Sequence, residues 1–358
     1  EGNYLSGSVI KGAIISYGGL KTQGDSNISG VVEISPKSNL LIVDSKIEHS
    51  LGHGVNASGS VGTYDKLTLD APILRVQNSY ILNNGFFGII VNANDAYKNR
   101  GKRNLVTISD SDIAGNKQGG IMVMEIGLDS KRNFISGNGE GIVFRSGSYG
   151  GHPLNIESNL IIDNKKSGVD AITWRNSMHL SNNSIINNNV RLTYDNDNSE
   201  NGVHIRVAFN EFSEISVSGA YGFGVLGIYQ NGSQKDEPTV QIESNIFERN
   251  ATSEDRIEGS TPIVVVTWEG NEASNFSNND FISNTTEYLF KNNAPLNGDV
   301  NAKNNWWGTD DEDAIKGQIY DYFQNPEYSI VDYSNWKTES IATKSGKVGV
   351  AANEVGPK

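Results

Sequence analysis

Arg145, Asp170, Trp174, His204 and Arg206 are the side chains of this 358-residue chain that, taken together, could handle an acidic sugar. An Arg fork grips a carboxylate or sulfate through two parallel hydrogen bonds, and a Trp face stacks on a sugar ring. His204 could remove the proton beside a uronate carboxylate, and Arg206 could stabilise the enolate that forms. Asp170, His204 and Arg206 are thus the catalytic candidates. Arg145, Asp170, Trp174, His204, Arg206 and Trp268 are the ligand-binding ones. The plain alternative is that outward Arg and His residues on a sheet are solvated or paired with a neighbour.

Alternation is what would align them. Strands open on Gly in Gly120-Ile-Met-Val-Met, Gly141-Ile-Val-Phe-Arg, Gly168-Val-Asp and Gly202-Val-His-Ile-Arg. The first and third residues after Gly face the core, so the second and fourth face outward. Met122, Met124, Val143, Arg145, Asp170, His204 and Arg206 then share an outer face, with Asn92 in the same column. Trp174 and Trp268 lie further along their strands.

These strands belong to a repeat. Asn78-SYIL-Asn83 precedes Gly88-IIV, Asn133-FISG-Asn138 precedes Gly141-IVF, and Asn159-LIID-Asn164 precedes Gly168-VDAI. Asn183-SIIN-Asn188, Asn245-IFER-Asn250 and Asn279-DFIS-Asn284 repeat the pair, and Ser45-KIEH-Ser50 and Ser111-DIAG-Asn116 are divergent copies. The second Asn falls at 83, 116, 138, 164 and 188, giving steps of 22 to 33 residues. Each step has room for two or three short strands, so the expected fold is a solenoid of stacked parallel strands roughly 4.8 Å apart. Asn83, Asn116, Asn138, Asn164, Asn188, Asn250 and Asn284 are expected to form an amide ladder at one bend, where Asn also tolerates a left-handed backbone.

Over residues 5 to 336 this repeat resembles the right-handed parallel β-helix proteins of the pectate-lyase-like superfamily. The resemblance implies an all-β, single-stranded right-handed parallel β-helix and says little of activity, because lyases, hydrolases, epimerases, tailspikes and adhesins share the fold. The phrase Asn304-Asn305-Trp306-Trp307-Gly308-Thr309 resembles the C-terminal closure of bacterial surface β-helix regions and insect junction proteins. Catalytic signatures of the enzymes are missing: there is no Arg-x-Pro-x-x-Arg, no Asp-Pro-His-Glu and no paired-Asp motif.

The closure has its own pattern. Thr309-Asp-Asp-Glu312 reads as a capping box, and Ala314, Ile315, Ile319 and Phe323 recur at helical spacing. A short helix over 311–323 is expected to cover the last coil, with Trp306, Trp307 and Gly308 as structural residues and Tyr320, Tyr322 and Tyr328 in the same closure. The cap occupies about 302–336 of a single domain spanning 1–336. Residues 337–358 read as a linker, which implies a larger chain.

A formal charge of −13 argues against a nucleic-acid partner, since phosphate contacts need a basic face. The chain has no cysteine, so disulfides and thiolate chemistry are excluded, and no apolar run is long enough to span a membrane. Seven Asn-x-Ser/Thr sequons, at Asn27, Asn56, Asn182, Asn231, Asn250, Asn275 and Asn284, matter only in a eukaryotic host. No cofactor is expected. A Ca2+ reading exists for Asp195-Asn-Asp197-Asn-Ser199-Glu-Asn-Gly202, but Glu200 stands where the tight turn needs Gly, and a polar turn fits better. The basic stretch Lys98 to Arg103 fits a solvated loop or a contact to an acidic glycan.

The sequence therefore points to a rigid binding or spacer module of a larger extracellular or cell-surface protein, with a polysaccharide or surface protein as partner. A polysaccharide lyase or glycoside hydrolase acting on an acidic glycan is the alternative, and a phage tailspike-like protein the second.

Overall fold

The computed structural model describes residues 7–19, 28–34, 39–58, 74–92, 105–146, 152–174, 176–195, 204–217, 224–231, 239–252, 262–267, 275–293, 299–341 and 348–358. They group into two compact units, Glu1–Ser177 with Ala351–Lys358, and Met178–Val350.

In the first unit each coil contributes three short strands, as in Leu105–Ser109, Asp112–Ala114 and Gly119–Met124. The next coil repeats them as Gly127–Lys131, Phe134–Ser136 and Ile142–Ser146. Pairing is parallel and in register, with Val106 opposite Leu128, Ile113 opposite Ile135, and Ile121 opposite Ile142. The second unit follows the same plan, with His204–Ala208 on Thr239–Glu243 and Glu211–Ser213 on Ile246–Glu248. Each unit is a parallel β-helix.

Like stacks on like inside the coils. Ile47, Ile81, Ile113, Ile135 and Ile161 form one column of the first unit, all fully buried. In the second unit the corresponding column turns aromatic: Phe212, Phe247 and Phe281 stack with ring centres 4.9 and 5.1 Å apart. Offset ring stacks add to the burial of large apolar area.

The ladder is real and double. At the corner after the second strand, Asn84, Asn116, Asn138 and Asn164 succeed one another. The Oδ1 of Asn116 accepts the backbone N–H and the Nδ2–H of Asn84 at 3.0 and 2.8 Å. Asn138 repeats this with Asn116, and Asn164 with Asn138. The other Nδ2 proton returns to a strand carbonyl of the previous coil, Ile81, Ile113 or Ile135. A second ladder fills the corner after the first strand, running Ser45, Ser79, Ser111, Asn133, Asn159 in the first unit and Asn183, Asn210, Asn245, Asn279, Asn305 in the second.

Two expectations about the ladder change. In its coil the rung is Asn84, fully buried, and Asn83 is exposed; the double Asn hides a one-residue shift. Nor does the rung take the left-handed backbone. The residue before it does: Asn83, Gly115, Gly137 and Asp163 at one corner, and Asp44, Asn78, Asp110, Arg132 and Ser158 at the other, all at φ between 48° and 68°. The left-handed residue turns the chain so that the next side chain points inward along the stack. The second-unit rungs Asn250 and Asn284 hold, with Asn284 accepting from Asn250. Asn188 is buried, but the next residue of its column is Ile215, which donates its N–H to Asn250 and carries no amide.

The Gly that follows has a packing reason. A Cβ on Gly88 would lie 2.8 Å from both the Asn116 Nδ2 and the Gly120 carbonyl oxygen, so a side chain there would collide with the ladder.

The closure also differs from the expected helix. Asn305 is the last rung of its ladder, and Trp307, fully buried, stacks on Phe281 at 5.2 Å and ends the aromatic column. Trp306 bridges Asp280, and its carbonyl accepts the Phe281 N–H. Gly308 adopts φ +85°, with the Phe281 carbonyl 3.2 Å from where a Cβ would stand. The helix runs only from Glu312 to Gly317, capped by the Asp311 carboxylate, not Thr309. It stops because the last coil needs partners: Gln318 accepts the Leu289 N–H at 2.8 Å, and Ile319–Tyr320 pairs with Phe290–Lys291 as a strand. Phe323 is left exposed.

Part of the segment read as a linker is held to the coils. In the second unit Ser340 and Ile341 donate to the Asp280 carboxylate, and Val350 exchanges hydrogen bonds with the Ser184 hydroxyl. In the first unit Gly356 donates to the Arg132 carbonyl, Lys358 to Asn78 Oδ1, and Val355 is buried. Outward side chains of the second strands supply acceptors that composition does not reveal.

Candidate functional site

The five residues expected in one row divide by their place in the coil. Arg145 and Asp170 sit on third strands, Ile142–Ser146 and Ser167–Thr173, and both point outward. His204 and Arg206 sit on His204–Ala208, which is a first strand: it pairs with Thr239–Glu243 and precedes the rung Asn210. The single row fails because His204–Ala208 is a first strand, whereas Arg145 and Asp170 lie on third strands.

On the first unit the neighbouring outward positions of the third strands are Ile90, Met122 and Val143 in one column and Asn92, Met124 and Ile172 in the other. Arg145 lies between Met124 and Ile172, and Asp170 lies above Val143. Arg145 is engaged through three of its five N–H groups. Its Nη2 donates to the Asp170 carboxylate, and its Nη1 donates to the Phe144 and Asp170 carbonyls. The Asp170 side chain is 10% exposed. A guanidinium already paired with a carboxylate offers a ligand anion less than a free one would. Trp174 follows the strand and is 40% exposed, with its backbone N–H donated to Ser146.

On the second unit Arg206 donates Nε and Nη2 to Glu243 Oε1 at 3.0 and 2.8 Å, and its guanidinium lies 6.0 Å from the exposed Phe209 ring. His179, opposite Arg206 in the preceding strand, joins this group and was passed over in the sequence. The signal was there: Met178-His-Leu alternates immediately before the pair Asn182-Asn183, as Ile205-Arg-Val does before Asn210. Burial, then Arg206 and His204, hold the His179 imidazole below the ordinary histidine range. His204 is exposed and pairs with Thr239 across the sheet. The group thus offers two imidazoles beside an ion pair.

Trp268, residues 196–203 of the calcium-like loop and the basic stretch 98–103 lie outside the described residues. Among the described residues, no group of three or more His, Asp or Glu side chains is placed to hold a metal ion, and no helix is long and apolar enough to cross a membrane.

The stacked parallel strands, the columns of identical residues and the ladders agree with one comparison. The family described as "Right handed beta helix region" matches residues 29–212. The chain belongs to the right-handed β-helix family. No curated protein and no solved structure matches it. Membership accounts for the architecture of the coils and leaves the outward faces, where members differ, to be read from this chain alone.

Proposed function

We propose that this right-handed β-helix is a rigid binding and spacer module of an extracellular or cell-surface protein, with a polysaccharide or surface protein as partner and no chemistry of its own. The observation that carries this reading is the state of the two Arg residues in the candidate set, Arg145 for binding and Arg206 for binding or catalysis. Arg145 and Arg206 each spend their forks on a carboxylate of a neighbouring coil. A lyase needs such a cation free to meet the enolate as charge develops. Here the cations brace adjacent coils instead, and the buried ladders do the same from inside.

The acidic composition and the absence of cysteine suit an exported chain, although neither sets the compartment. The test is incubation of the purified chain with uronate and sulfated polysaccharides, followed by absorbance of unsaturated ends and by reducing-sugar release. The expected outcome is no turnover. Accumulation of unsaturated ends that is abolished by His204→Ala would replace this reading with a lyase.

A further inference from the structure

Among the described residues, Lys291 is a cation with no carboxylate paired to it. It points outward from Phe290–Asn292, whose two other side chains are buried, and its partner in the next strand is Tyr320. Its Nζ lies 4.7 Å from the centre of the Tyr320 ring. Tyr288 meets that ring edge-on at 5.1 Å, and Tyr328 lies 6.1 Å from it on a tilted plane. All four residues are half-buried, so each keeps a face to solvent.

What sets Lys291 apart is partial burial among rings; Lys316, which also lies over a ring, Phe323, is exposed. Lys46, Lys131, Lys166 and Lys303, and likewise Arg132, Arg145, Arg206 and Arg249, each meet a carboxylate. Lys291 makes no ion pair among the described residues, and burial alone lowers its pKa from the ordinary lysine value. A partly desolvated ammonium without a counter-charge is costly, and a ring face offsets only part of that cost. Burial first, then a hydrogen bond to Glu287, raises the pKa of Tyr288, and burial first, then Tyr320 and Glu327, raises that of Tyr328, so both hydroxyls stay protonated at neutral pH.

We propose that Lys291, Tyr288, Tyr320 and Tyr328 form a binding site for one anionic residue of a saccharide, a uronate or a sulfated sugar. The ammonium takes the carboxylate or sulfate. The tyrosine rings take the apolar face of the sugar, and their hydroxyls meet its oxygens. A bare inorganic anion would use the ammonium and leave three rings without a partner. The site rests on the reading of the chain as a surface binding module and gives that module a ligand.

Calorimetric titration tests it with an oligogalacturonate, a sulfated heparin-type oligosaccharide, a neutral cello-oligosaccharide and inorganic sulfate. The expected result is binding of one or both anionic oligosaccharides, weakened at least tenfold in Lys291→Gln and in Tyr320→Ala, kept in Lys291→Arg, and unchanged in Lys131→Gln. Melting temperature serves as the folding control. As a second readout, bound oligosaccharide should slow acetylation of Lys291 by acetic anhydride. If Lys291→Gln binds like the parent while Arg206→Gln does not, this site is wrong and the module reading survives. Equal binding of inorganic sulfate, or binding of none of the probes, also overturns the site.

Discussion

A single residue step separates a rung of the ladder from its surface. Asn83 and Asn84 are chemically identical, yet one turns the chain at φ 54° in solvent and the other is fully buried. Asn138 is the clearest test of a rung, since its Oδ1 accepts two bonds from Asn116 and its Nδ2 donates to Ile113. Asn138→Ala leaves these groups unpaired and is expected to cost about 1–3 kcal/mol in urea unfolding. Asn83→Gly keeps the left-handed turn and should stay within about 0.5 kcal/mol of the parent. The ion pairs divide in the same way. Arg145→Ala strands the buried Asp170 carboxylate and should destabilise by about 1–3 kcal/mol. Arg206→Ala, on a more open pair, should cost no more than about 1 kcal/mol. His53 adds a pH dependence. Its buried ring accepts the Phe87 N–H, and burial depresses its pKa from 6.5 to about 4. Between those values the unfolded chain binds the proton and the folded chain does not. This residue's contribution therefore makes stability fall as pH drops from 6.5 to about 4, and adds no slope outside that window. Melting curves of His53→Gln should show a shallower slope there.

At the scale of elements, the closure matters because parallel coils end in open strand edges. Asn305 completes the ladder, Trp307 completes the aromatic column, and Gln318 with Ile319–Tyr320 takes up the last edge. One phrase of sequence thus ends three separate stacks. Trp307→Ala removes the ring on Phe281 from a fully buried site and should cost about 3–5 kcal/mol, measured by chemical unfolding. Truncation after Asn301 exposes the same column and edge together, and the expected outcome is aggregation, read by light scattering. A monomeric truncated chain would show that the cap is dispensable.

At the scale of the molecule, coil length varies at two of the three corners. Only Glu125 and Ile126 separate Gly119–Met124 from Gly127–Lys131, whereas fifteen residues, 59–73, separate His53–Ser58 from Leu74–Gln77 two coils earlier. The corner after the first strand holds its length, with two residues between Val43 and Lys46 and again between Ser277 and Asp280. The corner after the second strand does not: Asn138 stands four residues before Ile142, whereas the rung Asn250 stands fourteen before Val264. Arg145 and Asp170 lie on third strands of the first unit, and His179, His204 and Arg206 on first strands of the second.

The repeat was legible in the sequence because stacking is local and iterative: a residue that fits one coil fits the next, so Asn, Ile and Gly recur at readable spacing. The inward columns follow from alternation within a strand of three to six residues, and Trp307 follows from its place after the last paired Asn. Tertiary structure decided what repetition leaves degenerate. It separated Asn84 from Asn83, because neighbouring Asn residues satisfy the same pattern and only the position of the left-handed residue tells them apart. It moved His204 and Arg206 from a third strand to a first, since alternation marks a face without naming its sheet. It paired Arg145 with Asp170 and Arg206 with Glu243, residues 25 and 37 positions apart, while leaving Lys291 among tyrosines. Coil length varies, so which charges meet across coils depends on register summed over every turn between them, and no local pattern carries that sum.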